Sequence, residues 1–119
     1  MAAELTTQFI LRYAKGSDSF NLSSISQSQD VAAEARVQGV QTIGTSEEAL
    51  ALGDVAADGG AFFARNLDAT NYVEIGLTGS YTIKLKPGEF CFLSGVADKD
   101  LYARANTAAV KLAYALFSP

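Results

Sequence analysis

Apolar and polar residues alternate with a period of two along most of this chain, and turn residues interrupt the alternation at short intervals. Helical periodicity is scarce, so the pattern predicts short β-strands that each bury one face. "TTQFILRYA" (Thr6 to Ala14) is rich in β-formers and runs into the turn cluster "KGSDS". "FNLSSISQSQ" (Phe20 to Gln29) puts Phe20, Leu22 and Ser24 on one face, after which Ile25 breaks phase and implies a bulge or twist. "ARVQGVQTIG" (Ala35 to Gly44) is interrupted by Gly39, as at a bulge or a close backbone approach.

"TSEEALALGD" supports two readings. Thr45 followed by Glu48 has the form of a capping box and allows one helical turn. Leu50 and Leu52 alternate with Ala49 and Ala51, and Gly53 stops the run, which favours a short strand preceded by a turn. Further on, "GAFFARNL" and "NYVEIGL" are strands joined through "DAT". Asn and Asp suit a bend because their side chains bond nearby backbone and tolerate left-handed conformations. "NLDATNYVEIG" (Asn66 to Gly76) is therefore expected to be a hairpin connection, its tip placed to touch a neighbouring subunit.

"SYTIKLK" sets Tyr81, Ile83 and Leu85 on an apolar face against Thr82, Lys84 and Lys86. Lys86-Pro87-Gly88-Glu89 reads as a type II turn, since proline fixes φ at the second position and glycine accepts positive φ at the third. "EFCFL" then resumes as a buried strand, "SGVADKD" is a loop, and "LYARAN" is a strand. "AVKLAYALF" closes the series with Val110, Leu112, Tyr114 and Leu116 on one side. Eight or nine short strands with at most one short helical turn predict an all-β fold. The expected form is an antiparallel β-sandwich, jelly-roll or Greek-key like, in a single domain over residues 1–119. Many exposed positions are Ala, Ser, Thr or Gln, thin protection for sheet edges, which suggests that much surface meets partners.

Composition narrows the function. Hydrophobic residues make up 49% of the 119 residues, enough for a core, and no run approaches the ~18 apolar residues of a membrane helix. The opening "MAAELTTQFILRYAKG" has Glu4 ahead of a short apolar run and no basic n-region, so synthesis without export is expected. A net charge of -4 and scattered basic residues argue against nucleic acid as a direct partner. Only Lys84 and Lys86 lie close together, on one face of a strand. The single cysteine, Cys91 in "EFCFLSG", has no disulfide partner in the chain and reads as a small buried hydrophobe.

The chain has no histidine, which removes the usual general base and excludes Ser-His-Asp and Cys-His arrangements. The remaining acidic pairs are Glu47/Glu48, Asp54/Asp58 and Asp98/Asp100. Asp98-Lys99-Asp100 has the start of a calcium loop but not its glycine or distal glutamate. "GDVAADGGAFF" lacks the lysine and helix of a phosphate loop, and Asn21-Leu22-Ser23 matches a glycosylation acceptor by chance. In Phe62-Phe63 one ring must face outward, either as a contact or beneath a loop. No catalytic, cofactor-binding or metal-ligating residue is assigned, and binding or assembly is the expected role.

Four segments in order, "QTIGTSEEALALGDV", "AFFARNLDATNYVEIGL", "IKLKPGEFCFL" and "LYARANTAAVKLAYALF", together resemble small structural proteins encoded in tailed-bacteriophage genomes. The resemblance runs from about Gln41 to Phe117. Size and predicted fold are similar to those of phage capsid decoration (cement) proteins, many of which are sandwiches or jelly rolls that trimerise where capsomers meet. It implies a non-enzymatic virion protein on the outer capsid surface. Its partners would be itself, as a trimer, and the major capsid protein or other virion proteins, with no membrane. The chain departs from some of that group in lacking a long flexible N-terminal arm, since strand pattern begins by about Thr6. The alternatives are a neck, tail or head-fibre base subunit and, in another class, a carbohydrate-binding β-sandwich.

Overall fold

The computed structural model describes residues 4–31, 36–53, 55 and 58–118. Among these residues there are ten β-strands and no helix, and every strand pairing is antiparallel. The strands fall into two compact units, Met1–Val31 and Ala32–Pro119.

The first unit is one long hairpin, β1 (Leu5–Lys15) with β2 (Asp18–Gln29). Gly16, at φ 60°, allows the tight turn between Lys15 and Asp18. Ile25 does break phase, and a bulge absorbs it: Phe9 pairs with Ile25, but Leu11 pairs with Leu22. The extra residue in β2 turns Ile25 back onto the face of Leu22 and Phe20.

The second unit holds eight strands. They are β3 (Arg36–Ile43), β4 (Glu48–Ala49), β5 (Phe62–Asn66), β6 (Val73–Leu77), β7 (Ser80–Leu85), β8 (Phe90–Leu93), β9 (Tyr102–Ala105) and β10 (Val110–Phe117). One sheet has the order β3-β10-β5-β8 and the other β4-β9-β6-β7. The pairs β3/β10, β4/β9, β5/β8 and β6/β7 nest one inside the next and fall alternately in the two sheets. A long hairpin wrapped in that way is a jelly roll, so the expected sandwich takes its jelly-roll form.

Alternation builds the core. Val110, Leu112, Tyr114 and Leu116 all point inward, as their spacing predicts, and meet Phe62 and Ala64 of β5. The other sheet contributes Val73 and Ile75 from β6, Leu85 from β7, and Ala103 and Ala105 from β9. Phe62 is the largest fully buried side chain, and truncating such a residue costs about 3–5 kcal/mol. At Gly60 the chain passes so near the Phe117 carbonyl that any Cβ would collide with it. Pro87-Gly88 form the expected turn, with Gly88 at φ 79° and the Glu89 N–H donating to the Lys86 carbonyl at 3.0 Å.

Several expectations are corrected. Gly39 sits in unbroken register opposite Tyr114 with open space beside it, so it marks neither a bulge nor a close approach. Of the two readings of "TSEEALALGD" the favoured one holds, since β4 is a short strand, of two residues, after a bend, and the Glu48 carboxylate accepts from the Gly44 N–H at 3.0 Å rather than capping a helix. Tyr81 does not share the face of Ile83. A register shift between Ile75 and Gly76 sets Tyr81 opposite Gly76 and turns its ring outward, under the Arg104 guanidinium. β8 is an edge strand whose Phe90 is 60% exposed, not a buried one. "NLDATNYVEIG" is not a hairpin connection, because β5 and β6 lie in different sheets.

Candidate functional surfaces

The segment from Asn66 to Gly76 is a corner where the chain changes sheet, and a buried amide holds it. Asn66, with no exposed surface, ends β5. Its Nδ2 donates to the carbonyls of Asn71 at 2.8 Å and Leu85 at 3.0 Å, and its Oδ1 accepts from the Asp68 N–H at 2.8 Å. The Asp68 carboxylate in turn accepts from the N–H groups of Thr70 and Asn71. The bonds from Asn71 first, and then Thr70, hold the Asp68 carboxyl below its ordinary pKa. These polar groups satisfy backbone that leaves one ladder before joining the next.

A second corner, from β3 to β4, uses the same device. Gln41 Nε2 donates to the Ala49 carbonyl at 3.0 Å and its Oε1 accepts from the Ala51 N–H at 3.1 Å. The Tyr114 hydroxyl donates to the Ala51 carbonyl at 2.8 Å, and burial raises the pKa of that phenol. Neither Gln41 nor Tyr114 carries any pattern in the sequence that announces this role.

The acidic pairs separate into structural tasks. Glu48 bonds the Gln41 amide and the Gly44 N–H, whereas Glu47 faces the β6–β7 turn. There its carboxylate accepts from the Thr78 and Tyr81 hydroxyls and the Gly79 N–H. Those bonds, Thr78 first, pull the Glu47 pKa down. Desolvation, and then the bond to Glu47, pushes the Tyr81 phenol up to about 12. Asp54 lies outside the described residues. Asp58 accepts from the Lys99 N–H at 2.6 Å, Asp98 from the Asp100 N–H at 2.9 Å, and Lys99 Nζ pairs with Asp100 at 3.0 Å. Among the described residues no three ligand-type side chains converge as a metal site would require. Half-buried Cys91 packs against the core, and desolvation raises its thiol pKa.

The two outer sheet faces differ sharply. On the β4-β9-β6-β7 face, Arg104 pairs with Glu74 at 2.9 Å and lies over the Tyr81 ring at 4.3 Å, while Lys84 covers Tyr72 at 4.1 Å. On the β3-β10-β5-β8 face, one row across the strands reads Val40, Ala113, Arg65, Phe90, and the next reads Gln38, Ala115, Phe63, Phe92. Phe63 is thus the outward ring of its pair, half-buried against Phe90 with centroids 6.2 Å apart. Arg36, Arg65 and Lys111 are the charged residues at the outward positions of these four strands, and all are basic.

The hairpin unit is equally one-sided. Directly opposed pairs Phe9–Ile25, Leu11–Leu22 and Tyr13–Phe20 share one face. The other face carries Thr6–Ser28, Gln8–Ser26, Arg12–Asn21 and Ala14–Ser19, with Ile10 as its one large apolar residue. Of the six stripe residues only Leu22 is as much as half-buried. An open hollow of about 330 Å³ completes the surface, between β7 and the β8–β9 loop, lined by Leu77, Thr82, Ile83, Leu93 and Leu101 among others.

No family model matches the chain, and neither a curated protein nor a solved structure shows significant similarity to it.

Proposed function

We propose that this chain is a non-enzymatic structural protein of a tailed-bacteriophage virion. In this reading it is a capsid decoration (cement) protein that binds the assembled shell between capsomers and stabilises it. The observation that carries the proposal is the exposed apolar surface on both units: Phe9, Leu11, Tyr13, Phe20 and Ile25 on the hairpin, and Val40 and Phe90 on the jelly roll. Contiguous exposed apolar patches mark protein–protein contacts. The jelly roll is a recurrent architecture of viral capsid domains, though also of lectins and cupins, so the fold supports the reading by analogy.

Cementing works by linkage. A protein that binds only the expanded shell stabilises that state by RT ln(1 + [L]/Kd), and many copies on one lattice add avidity. An acidic chain suits the outer surface, away from packaged DNA. Self-association as a trimer and contact with the major capsid protein belong to the same proposal.

A neck, tail or head-fibre base subunit would use similar surfaces, and copy number separates the two. Quantitative mass spectrometry of purified virions is expected to find the chain in numbers comparable to the major shell protein. A handful of copies per particle indicates a neck or tail role, and absence from the particle ends the virion reading. A sugar platform is disfavoured because the chain has no tryptophan, the flat ring such sites lean on most, and the Tyr72 and Tyr81 rings carry Lys84 and Arg104.

A further inference from the structure

We infer that the apolar stripe of the hairpin docks on the outer β3-β10-β5-β8 face of another copy of this chain, so that each copy gives a hairpin and receives one. The hairpin cannot be self-sufficient. A two-stranded ribbon is marginal in water and needs a third strand or a packed face, and every described residue of β1 and β2 is exposed or half-buried. Its stripe is nonetheless built with care, since the bulge serves to return Ile25 to the apolar side opposite Phe9.

The proposed receiving face matches it in chemistry and in size. Three successive opposed pairs, from Phe9 to Tyr13, make a stripe on the order of 13 Å long, and four strands span about 14 Å across. Val40 and Phe90 stand at the two edges of that face, 58% and 60% exposed, with Ala113, Ala115, Phe63 and the exposed Arg65 between and Phe92 on the strand of Phe90. Ala113 and Ala115 are the small outward side chains along β10. Arg36, Arg65 and Lys111 lie on the sheet face, and Glu4 and Asp30 flank the base of the hairpin, whose other charges are Arg12, Lys15 and Asp18.

Area decides which occupant suits. Five stripe residues at 42% to 54% exposure offer on the order of 400 Å² of apolar surface. A standard interface takes about 800 Å² from each partner, so two stripes meeting face to face reach half of that. When each copy contributes both its stripe and a matching area of its sheet face to one partner, the two contacts together reach the standard size; in a closed ring each copy buries the same total, split between two neighbours.

This inference rests on the self-association in the proposed function and is independent of shell binding, so it is tested on the purified full-length chain alone. Light scattering after gel filtration is expected to give the wild type a discrete mass that is a multiple of 12.5 kDa. Leu11→Asp on the stripe and Val40→Asp on the sheet should each reduce it to one chain. Gln8→Asp on the polar hairpin face should leave the mass unchanged, and circular dichroism should show that it keeps the full strand signal while the two monomeric variants keep the part contributed by the jelly roll. Mixing Leu11→Asp with Val40→Asp restores one good stripe and one good sheet, one of the two contacts, so a weaker 1:1 pair should form as the concentration is raised. A monomeric wild type would overturn the inference. So would a Val40→Asp protein of wild-type mass. Either of these would leave binding of the chain to shells intact as a separate question.

Discussion

Asn66 closes three hydrogen bonds at a site with no access to water. Substituting Asn66→Ala removes them and strands the carbonyls of Asn71 and Leu85, where an orphaned buried group costs about 1–3 kcal/mol. The expected loss is about 3 kcal/mol in urea unfolding, while Asn71→Ala, whose backbone carbonyl stays in place, should cost clearly less. Equal losses would show that the buried amide is not the organiser of this corner. At this scale the sequence was only partly legible. Its turn grammar marked Asn66, Asp68 and Asn71 as a bend, and they form one. Which sheets the bend joins depends on the distant pairings of β5 with β10 and of β6 with β9, and no local pattern encodes those. Gln41 was invisible for the same reason, because its partners at Ala49, Ala51 and Tyr114 are brought together only by the fold.

Elements were more legible than their pairings. Period-two alternation located β1, β2, β3 and the strands from β5 to β10, since each buries or presents one face. It failed where a bulge shifts the phase. Tyr81 alternates correctly with Ile83 and Leu85, yet the register shift beside Gly76 turns it outward to Arg104 and Glu47. That outward position has a pH consequence. The Glu47 pKa is depressed in the folded chain, so its contribution is present above the ordinary value of 4.5 and fades as pH falls through the lower folded value. Amide exchange at Gly79, followed by NMR, should therefore speed up below pH 4.5 relative to a neighbouring strand, and Glu47→Gln should abolish that pH dependence. An unchanged profile in the variant would detach Glu47 from the turn.

The hairpin carries its own expectation at the same scale. In the monomeric Leu11→Asp chain, β1 and β2 amides should exchange close to the rate of an unstructured peptide, because a lone ribbon opens readily. Amides of β10, central in its sheet, should exchange only on global unfolding. Protection of β1 and β2 equal to that of β10 would mean that the hairpin needs no partner.

At the scale of the whole molecule, a jelly roll with one outer face of ion-paired and covered aromatic residues, one of exposed apolar and basic residues, and an amphipathic hairpin is suited to making contacts. Strand count and the absence of helical periodicity made the fold class legible from the sequence. The division of strands between a hairpin unit and a jelly roll was not, because residues 5–29 and 36–117 show the same alternation. Exposed apolar positions were likewise hidden, since Phe9, Val40 and Phe90 look like core residues until their partners are known.

The cement reading is tested most directly by DNA retention. Virions lacking this chain should release DNA at lower temperature and milder osmotic shock than complete ones, and adding the purified chain back should restore retention. Equal tolerance with and without the chain would contradict it.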